Sequence, residues 1–399
     1  MKILFIAGGE WQVPLVRFLK NKSCHLTIVD PYSKSPAVQY ADEFIKCDVK
    51  DVDQIYSKVK NRKFNLVLSD QTDVSVKTVS ELSFRLNLSG NSIDITEKYS
   101  NKYESRMFLK NTGLSHCPEF EQVLSVEELK LFLAKNDEAI IKPFDAQSSR
   151  GVYRVSSELS TNELETYFKD TILASPSSKV LVEQFIKGRE ITVEGLCING
   201  KHYSLTSSSK SHFKTGIANN LEYPSGVNEE LLKCVFQFND EYVKKTGLYT
   251  GITHAEYIID EEKNDFWLVE IACRGGGTLI PSDIVPWVTG VDVYEMFYSA
   301  LLDPTSKQLV RKLDNERSAL LHFFNFKSKK VKTIKGVDEI NALDDVLMFR
   351  LSFQEGDVLW EVNDDRGRHG FVILLSHSKE VMECSLNNIY DILEIDYEI

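Results

Sequence analysis

The alternation of strand and helix signals at the start of the chain is the sequence feature that most limits its fold. Short apolar runs typical of strands alternate with segments of helical periodicity, in the order 3–7, 11–22, 25–29, 52–60 and 65–69. Consecutive parallel strands need a crossover connection, which is usually a helix. We therefore expect an N-terminal parallel α/β domain at residues 1–95.

The first turn of this domain lacks the signature of a dinucleotide site. After the first strand the sequence is Gly8-Gly9-Glu10-Trp11-Gln12-Val13, which is not the G-x-G-x-x-G pattern. Glu10 would also repel a pyrophosphate at the start of the helix. Asp30 ends the second strand, but a single acidic residue at that position is more typical of a turn or a helix cap. These features argue against an NAD enzyme.

Composition excludes several classes of protein. The 47 Lys and Arg stand against 59 Asp and Glu, for a formal net charge of −12, so we expect no nucleic-acid partner. The 7 cysteines are odd in number and contain no C-x-x-C pair, which favours the reducing cytoplasm over a disulfide or zinc framework. No stretch approaches ~20 consecutive apolar residues, and the first residues do not resemble a secretory signal, so we expect no membrane partner.

The middle of the chain changes from alternation to hairpins. One amphipathic helix is predicted over 96–109, capped by Thr96 or Asp94. Strands at 139–143 and 152–155 flank a small polar loop and predict a hairpin. Further strands are predicted at 180–186, 190–197, 202–207, 253–259, 266–272, 320–326, 346–353 and 370–375.

Basic and small residues in this region fit a nucleoside-triphosphate site. Lys102 follows a helix start, and Lys142 closes an apolar strand in front of the loop that contains Ser148 and Ser149. Lysines neutralise phosphate oxygens as point charges, and a small-residue loop lets backbone N–H groups approach phosphates closely. The strand edge at 184–186 offers backbone donors and acceptors to a purine.

Acidic residues further along the chain fit a cation site. Glu256 and Glu270 lie on two consecutive predicted strands, where their carboxylates can hold a hard cation such as Mg²⁺. Arg274 follows Glu270 by four residues and precedes three glycines. A guanidinium at that point can clamp a carboxylate or an acyl phosphate bidentately.

The order of these segments resembles the ATP-grasp superfamily, which includes biotin carboxylase, D-alanine–D-alanine ligase and L-amino-acid ligases. The segments that carry the resemblance are Asn101-Lys102, Ile141-Lys142-Pro143, 182–190, Ala255-Glu256-Tyr257 and 269–277. The resemblance implies an α/β and α+β architecture with three parts. After the N-terminal parallel α/β domain come an ATP-grasp domain at 96–310, whose small subdomain covers about 115–187, and a C-terminal β-rich lid at 311–399.

The resemblance also implies a role for each matched residue. ATP would be held by phosphate contacts from Lys102, Lys142, Ser148 and Ser149, by adenine contacts from Glu183 and the backbone of Gln184 and Ile186, and by a ribose contact from Glu190. Mg²⁺, or Mn²⁺ in its place, would be bound by Glu256 and Glu270. Arg274 would stabilise an acyl phosphate, and Lys210 is a second candidate catalytic residue, although a merely solvated loop explains it equally well.

One departure from the family pattern concerns the metal. The family often has Asn two residues after the last metal Glu, whereas this chain has Ala272, so the choice between one and two metal ions stays open. The roles of His212, Asp283 and Arg368 also stay open.

The implied activity is an ATP-dependent ligase that activates a carboxylate as an acyl phosphate and joins it to an amine, releasing ADP and phosphate. Two alternatives remain: a carboxylase that uses bicarbonate, and a nucleotide-binding sensor without catalysis. The expected partners are small-molecule carboxylate and amine substrates, and the resemblance allows a homodimer. The sequence does not identify the two substrates, because ligase pockets are built on variable loops.

Overall fold

The N-terminal strands form the parallel sheet that the alternation predicts. In the computed structural model of the chain, which describes residues 1–146, 150–214, 216–303 and 317–398, this sheet has the strand order β3-β2-β1-β4. Its elements are β1 Lys2–Ile6, α1 Val13–Asn21, β2 His25–Asp30, β3 Glu43–Lys46, α2 Val52–Val59, β4 Leu66–Leu68 and α3 Val76–Arg85. The sequence pattern missed β3, because only Ile45 of its four residues is buried.

The single helix predicted over 96–109 is wrong. The chain forms two helices, α4 Ile93–Ser100 and α5 Lys102–Thr112, separated by Asn101 in an extended conformation. The Asn101 side chain accepts hydrogen bonds from the backbone N–H groups of Tyr103 and Glu104, at 3.0 and 3.2 Å, and so caps α5. The N-cap of α4 is Ser92 rather than Thr96 or Asp94. This break makes Lys102 the first residue of α5.

The next segment forms a small antiparallel sheet with two helices packed on it. Its elements are β5 Phe120–Val123, α6 Val126–Asn136, β6 Glu138–Pro143, β7 Tyr153–Ser156, α7 Thr161–Ala174 and β8 Val180–Gln184. The strand order is β5-β8-β6-β7, and the predicted hairpin of β6 with β7 is confirmed. The core of this unit consists of apolar side chains from both helices and all four strands.

The second half of the chain builds a large antiparallel sheet. Its first part contains β9 Arg189–Ile198, β10 Lys201–Lys214, β11 Ile217–Tyr223, α8 Glu229–Thr246, β12 Gly251–Asp260, β13 Asp265–Ala272, α9 Val285–Thr289 and α10 Val293–Leu302. The last part contains β14 Ser318–Phe323, β15 Val331–Lys335, α11 Val337–Asn341, β16 Val346–Leu351, β17 Gly370–Ser376, α12 Lys379–Ile392 and β18 Glu394–Tyr397.

Strands from both parts share this one sheet. Its order is β13-β12-β9-β10-β11-β14-β17-β16, so three C-terminal strands extend the sheet that starts with β9. The remaining two strands, β15 and β18, pair separately. The predicted domain boundary near 310 falls outside the described residues. Within the described ranges, no helix has the length and apolar character needed to cross a membrane.

Candidate active site

One cavity of about 840 Å³ lies where the small sheet, the large sheet, the N-terminal domain and the C-terminal strands meet. All ten predicted site residues that the structure describes line this cavity: Lys102, Lys142, Glu183, Gln184, Ile186, Glu190, Lys210, Glu256, Glu270 and Arg274. Ser148 and Ser149 lie outside the described residues. The structure therefore brings residues spread over more than 170 positions of the sequence to one place.

The floor of the cavity is a face of the large sheet. Glu256 on β12 is the register partner of Glu270 on β13, so the two predicted metal carboxylates are cross-strand neighbours. Next to Glu256 the register shifts, and Val269 is the extra residue on β13. A bulge of this kind changes the direction of neighbouring side chains. On the other side of β12, Glu190 of β9 pairs with Lys210 of β10.

A buried ion cluster lies under the small-sheet side of the cavity. Glu183 accepts hydrogen bonds from Arg106 Nε at 2.7 Å and Arg106 Nη2 at 3.2 Å, and its Oε2 lies 2.7 Å from Lys142 Nζ. Arg106 Nη2 also donates to the carbonyl of Val269, the bulged residue of β13, at 2.7 Å. The cluster thus ties α5, β6 and β8 to the edge of the large sheet.

The charges of this cluster do not balance. Burial lowers the pKa of Lys142, although the Glu183 carboxylate opposes this shift. Burial alone would raise the pKa of Glu183, but Arg106 and Lys142 hold it below its usual value. Two cations therefore share one anion. A buried positive charge needs an anionic partner, which a phosphate group can supply.

The predicted adenine role of the Glu183 carboxylate needs correction. Its two oxygens face Arg106 and Lys142, and only 6% of the side chain is exposed. Its physical role is to hold Lys142. The backbone of Gln184 is also engaged, because its N–H donates to the carbonyl of Glu119 at 2.8 Å. The backbone of Ile186 has no hydrogen-bond partner among the described residues, so it remains the predicted contact for a purine edge.

Both predicted metal carboxylates are paired with lysines. Lys210 Nζ lies 2.6 Å from Glu190 Oε1 and 2.7 Å from Glu256 Oε1. Lys102 Nζ lies 3.1 Å from Glu270 Oε2 and donates to the carbonyl of Ala146 at 3.0 Å. Burial alone would lower the pKa of Lys210, but its two carboxylate neighbours raise it above its usual value. These two carboxylates therefore favour the protonated form of Lys210, which adds a positive charge to the cavity.

A histidine that the sequence reading overlooked lies beside Glu256. His254 Nδ1 lies 2.9 and 3.0 Å from the two carboxylate oxygens of Glu194, and its Nε2 lies 3.7 Å from Glu256 Oε1. Burial alone would lower the pKa of His254, but the Glu194 carboxylate raises it to about 9. The register partner of His254 on β13 is Ala272, the residue at which this chain departs from the family pattern.

Arg274 is engaged by the N-terminal domain. Its Nε and Nη2 donate to the two carboxylate oxygens of Asp73 at 2.8 and 2.7 Å, and its Nη1 donates to the carbonyl of Gly275 at 3.0 Å. Three of the five guanidinium donors are thereby used, and two remain for another oxygen ligand. The predicted clamp on a substrate carboxylate or acyl phosphate would therefore have to use the remaining donors of Nη1 and Nη2. Asp73 instead fixes the plane of the guanidinium at the cavity wall.

The C-terminal part of the chain contributes two arginines to the cavity wall, and each is paired with an acidic residue. Arg368 donates to Asp365 at 2.6 Å and lies 3.7 Å from the centre of the Phe323 ring. Its Nε is buried and has no hydrogen-bond partner among the described residues. Arg350 of β16 pairs with Glu10 of the N-terminal domain. Of the residues whose roles were left open, Arg368 lines the cavity, whereas His212 and Asp283 are not among its described lining residues.

The carboxylates of Glu256 and Glu270 fit a hard divalent cation whose remaining ligands are water and phosphate oxygens. Among the described residues, no group of three or more His, Cys, Asp and Glu side chains has metal-binding geometry. Glu256 and Glu270 supply two carboxylates from facing strand positions. Mg²⁺ is usually held by one or two carboxylates, with phosphate oxygens and water as the other ligands.

Some of these residues had a sequence signal and others had none. Glu194 and His254 lie at even spacing from Glu190 and Glu256, so strand alternation places each pair on one face. Arg106 lies four residues after Lys102, on the same face of α5. The contact of Asp73 with Arg274 spans 201 positions and follows from no local pattern.

Comparison with known proteins agrees with this geometry. Residues 136–282 match the ATP-grasp domain family. The chain is 25% identical over 190 residues to the formate-dependent phosphoribosylglycinamide formyltransferase of Methanococcus maripaludis, an alignment that covers 47% of this chain and 48% of that protein. It thus spans about half the length of that relative. It is 21% identical over 321 residues to dapdiamide A synthase of Enterobacter agglomerans, with 77% and 74% covered.

The fold matches over the whole length of the chain. The crystal structure of L-amino acid ligase from Bacillus licheniformis superimposes with a TM-score of 0.79 at 18% identity, and covers 100% of this chain and 99% of that one. At this identity the likeness shows the fold. The family match at residues 136–282 shows in addition that the chain contains an ATP-grasp domain.

Proposed function

We propose that this chain is an ATP-dependent carboxylate–amine ligase. It would transfer the γ-phosphoryl group of ATP to a carboxylate, and an amine would then displace phosphate from the acyl phosphate to form an amide. The products would be ADP, inorganic phosphate and the amide. The observation that carries this proposal is the polarity of the cavity, which has unbalanced positive charge at Lys142 and Arg106 and a carboxylate pair at Glu256 and Glu270.

The nucleotide would lie across the cavity between the two sheets. Lys142 and Lys102 would bind phosphate oxygens, the backbone of Ile186 would meet the adenine edge, and Glu190 would accept from ribose hydroxyls. Glu256 and Glu270 would hold Mg²⁺, or Mn²⁺ in its place, which neutralises phosphate charge during transfer. The loop with Ser148 and Ser149 remains a proposed phosphate contact.

The acid substrate would lie at the Arg274 end of the cavity. Arg274 keeps two donors beyond those used by Asp73 and Gly275, and these can hold the substrate carboxylate and then the acyl phosphate. A donor placed where negative charge grows lowers the barrier as well as the binding energy. Arg368, with its unpartnered buried Nε, is a second candidate for this contact.

The names of the relatives suggest the range of acids and amines to test. Formate is a small carboxylate, and the aligned formyltransferase is named as formate-dependent. The structurally similar ligase is named for L-amino acids. The proposed ligase activity implies small molecules as partners. We also propose a cytoplasmic location, because the cysteines of the described residues are all unpaired. A homodimer is also proposed, and light scattering measures it directly.

A screen for ADP formation tests the proposal. Purified protein with Mg²⁺ and ATP is given formate, bicarbonate or an amino acid as the acid, each with a panel of amines. A ligase forms ADP and phosphate only when both an acid and an amine are present. Dependence on bicarbonate with a carboxylated product would show the carboxylase alternative, and AMP with pyrophosphate would contradict acyl-phosphate chemistry. A sensor would form no ADP with any pair, although it would bind the nucleotide.

A further inference from the structure

The two lysine–carboxylate pairs on the cavity floor bear on how a metal ion enters the site. Lys210 Nζ lies 2.7 Å from Glu256 Oε1, and Lys102 Nζ lies 3.1 Å from Glu270 Oε2. The side chains of Lys210 and Lys102 are only 12% and 11% exposed. Ion pairs in such partly buried positions are screened much less than pairs on the surface.

An ammonium group and a divalent cation compete for these carboxylates. A divalent ion on Glu256 or Glu270 would come within a few ångströms of the lysine that already neutralises it, and like charges at that range repel strongly. Glu190 helps to keep the ammonium of Lys210 beside Glu256, because its Oε1 lies 2.6 Å from the same Nζ. The metal therefore binds well only if the lysines find other anions.

A bound nucleotide would supply such anions through its phosphates. Both lysines line the cavity in which the phosphates would lie, and each has a flexible four-carbon stem that lets its ammonium move from a carboxylate to a phosphate oxygen. Resting on the function proposed above, we propose that Lys102 and Lys210 compete with the divalent cation for its carboxylates. When nucleotide phosphates replace Glu270 and Glu256 as the partners of these lysines, the two carboxylates become available to the metal. Metal and nucleotide then bind with positive coupling, which is reciprocal by thermodynamic necessity.

Mn²⁺ binding measured by electron paramagnetic resonance tests this competition without any turnover. The wild-type protein without nucleotide should bind Mn²⁺ weakly. Lys210→Met and Lys102→Met each remove one competing charge, so each should bind Mn²⁺ at least about tenfold more tightly without nucleotide. Lys210→Gln removes the charge but keeps a hydrogen-bond donor, and it provides a second variant in case Lys210→Met does not fold.

Lys214→Met is the matched control. Lys214 lies on the same strand as Lys210, but it is exposed and pairs with Glu361 and Asn363 instead of a cavity carboxylate. Its Mn²⁺ affinity should equal that of the wild type. The proposal would be overturned if every folded Lys210 and Lys102 variant bound Mn²⁺ without nucleotide no more tightly than the wild type does.

The same measurement separates this proposal from the proposed function. Wild-type protein is titrated with Mn²⁺ in the presence of adenylyl imidodiphosphate, a non-hydrolysable ATP analogue. If the protein adds nothing to the Mn²⁺ signal of the analogue alone, the nucleotide–metal site itself is wrong. If the ternary complex forms but the lysine variants bind Mn²⁺ like the wild type, only the competition is wrong.

Discussion

Lys142 Nζ lies 2.7 Å from Glu183 Oε2, and both side chains are buried. Arg106 holds the other oxygen of Glu183, so the anion is shared by two cations. This arrangement explains how a buried lysine can be held next to a cavity and still attract an anion. Its position is fixed by Glu183, while its charge is only partly neutralised.

Replacing Lys142 with Ala should weaken ATP binding. The loss of a charge-assisted hydrogen bond costs ~1.5–3 kcal/mol, or about 10- to 150-fold in affinity. Arg106 and Glu183 remain as a balanced pair in this variant, so the fold should survive. Calorimetric titration measures the change, and Lys135→Ala is the control because Lys135 is an exposed residue of α6 that pairs with Glu121. Equal ATP affinity in both variants would show that Lys142 does not contact the nucleotide.

Replacing Glu270 with Gln should lower turnover by at least about 10²-fold at low Mg²⁺, because the metal that neutralises the phosphates loses a charged ligand. Raising Mg²⁺ should restore part of the rate. Glu262→Gln is the control, since Glu262 lies in the exposed turn between β12 and β13. Normal turnover of Glu270→Gln at low Mg²⁺ would mean that the carboxylate serves only to pair with Lys102.

Replacing Arg274 with Lys should reduce kcat about 10²-fold or more while ATP affinity stays near normal. Lysine keeps the charge but loses the planar fork that Asp73 holds in place. We expect this split between rate and affinity because Arg274 is proposed to meet the substrate carboxylate and the acyl phosphate, and not the adenine. Steady-state kinetics with calorimetry measure both quantities, and an equal loss of kcat and ATP affinity would place Arg274 in nucleotide binding instead.

A buried histidine in the C-terminal part should make stability depend on pH. His322 contacts Asn220 Oδ1 at 2.6 Å and Tyr390 Oη at 2.7 Å, and burial lowers the pKa of His322 to about 4. Below its unfolded pKa of ~6.5 the unfolded chain binds a proton that the folded chain does not, so stability falls as pH decreases from there towards 4. This histidine alone should cost roughly 2 kcal/mol between about pH 7 and about pH 5.

Urea unfolding at the two pH values measures this effect. His322→Gln removes the titrating ring, so the fall in stability should be smaller in that variant by the same amount. An identical pH dependence in the variant and the wild type would show that His322 does not titrate in this way.

The sequence predicted the parts of the site that depend on local periodicity. Strand alternation and the position of Glu256 and Glu270 on consecutive strands were enough to place the two carboxylates side by side. It did not predict the break at Asn101, because the apolar periodicity continues across it while the side chain of Asn101 starts a new helix. Long-range partners were also missed: nothing near Arg274 in the sequence indicates Asp73, and nothing near Glu183 indicates Arg106.

The transfer of ¹⁸O from a labelled carboxylate to inorganic phosphate tests the central claim most directly. With an acid and amine pair that supports ADP formation, the acyl-phosphate route moves one carboxylate oxygen into the released phosphate. We predict that mass spectrometry finds one ¹⁸O in each phosphate and none in ADP. Unlabelled phosphate, or label in AMP, would contradict activation of the acid by phosphoryl transfer at this site.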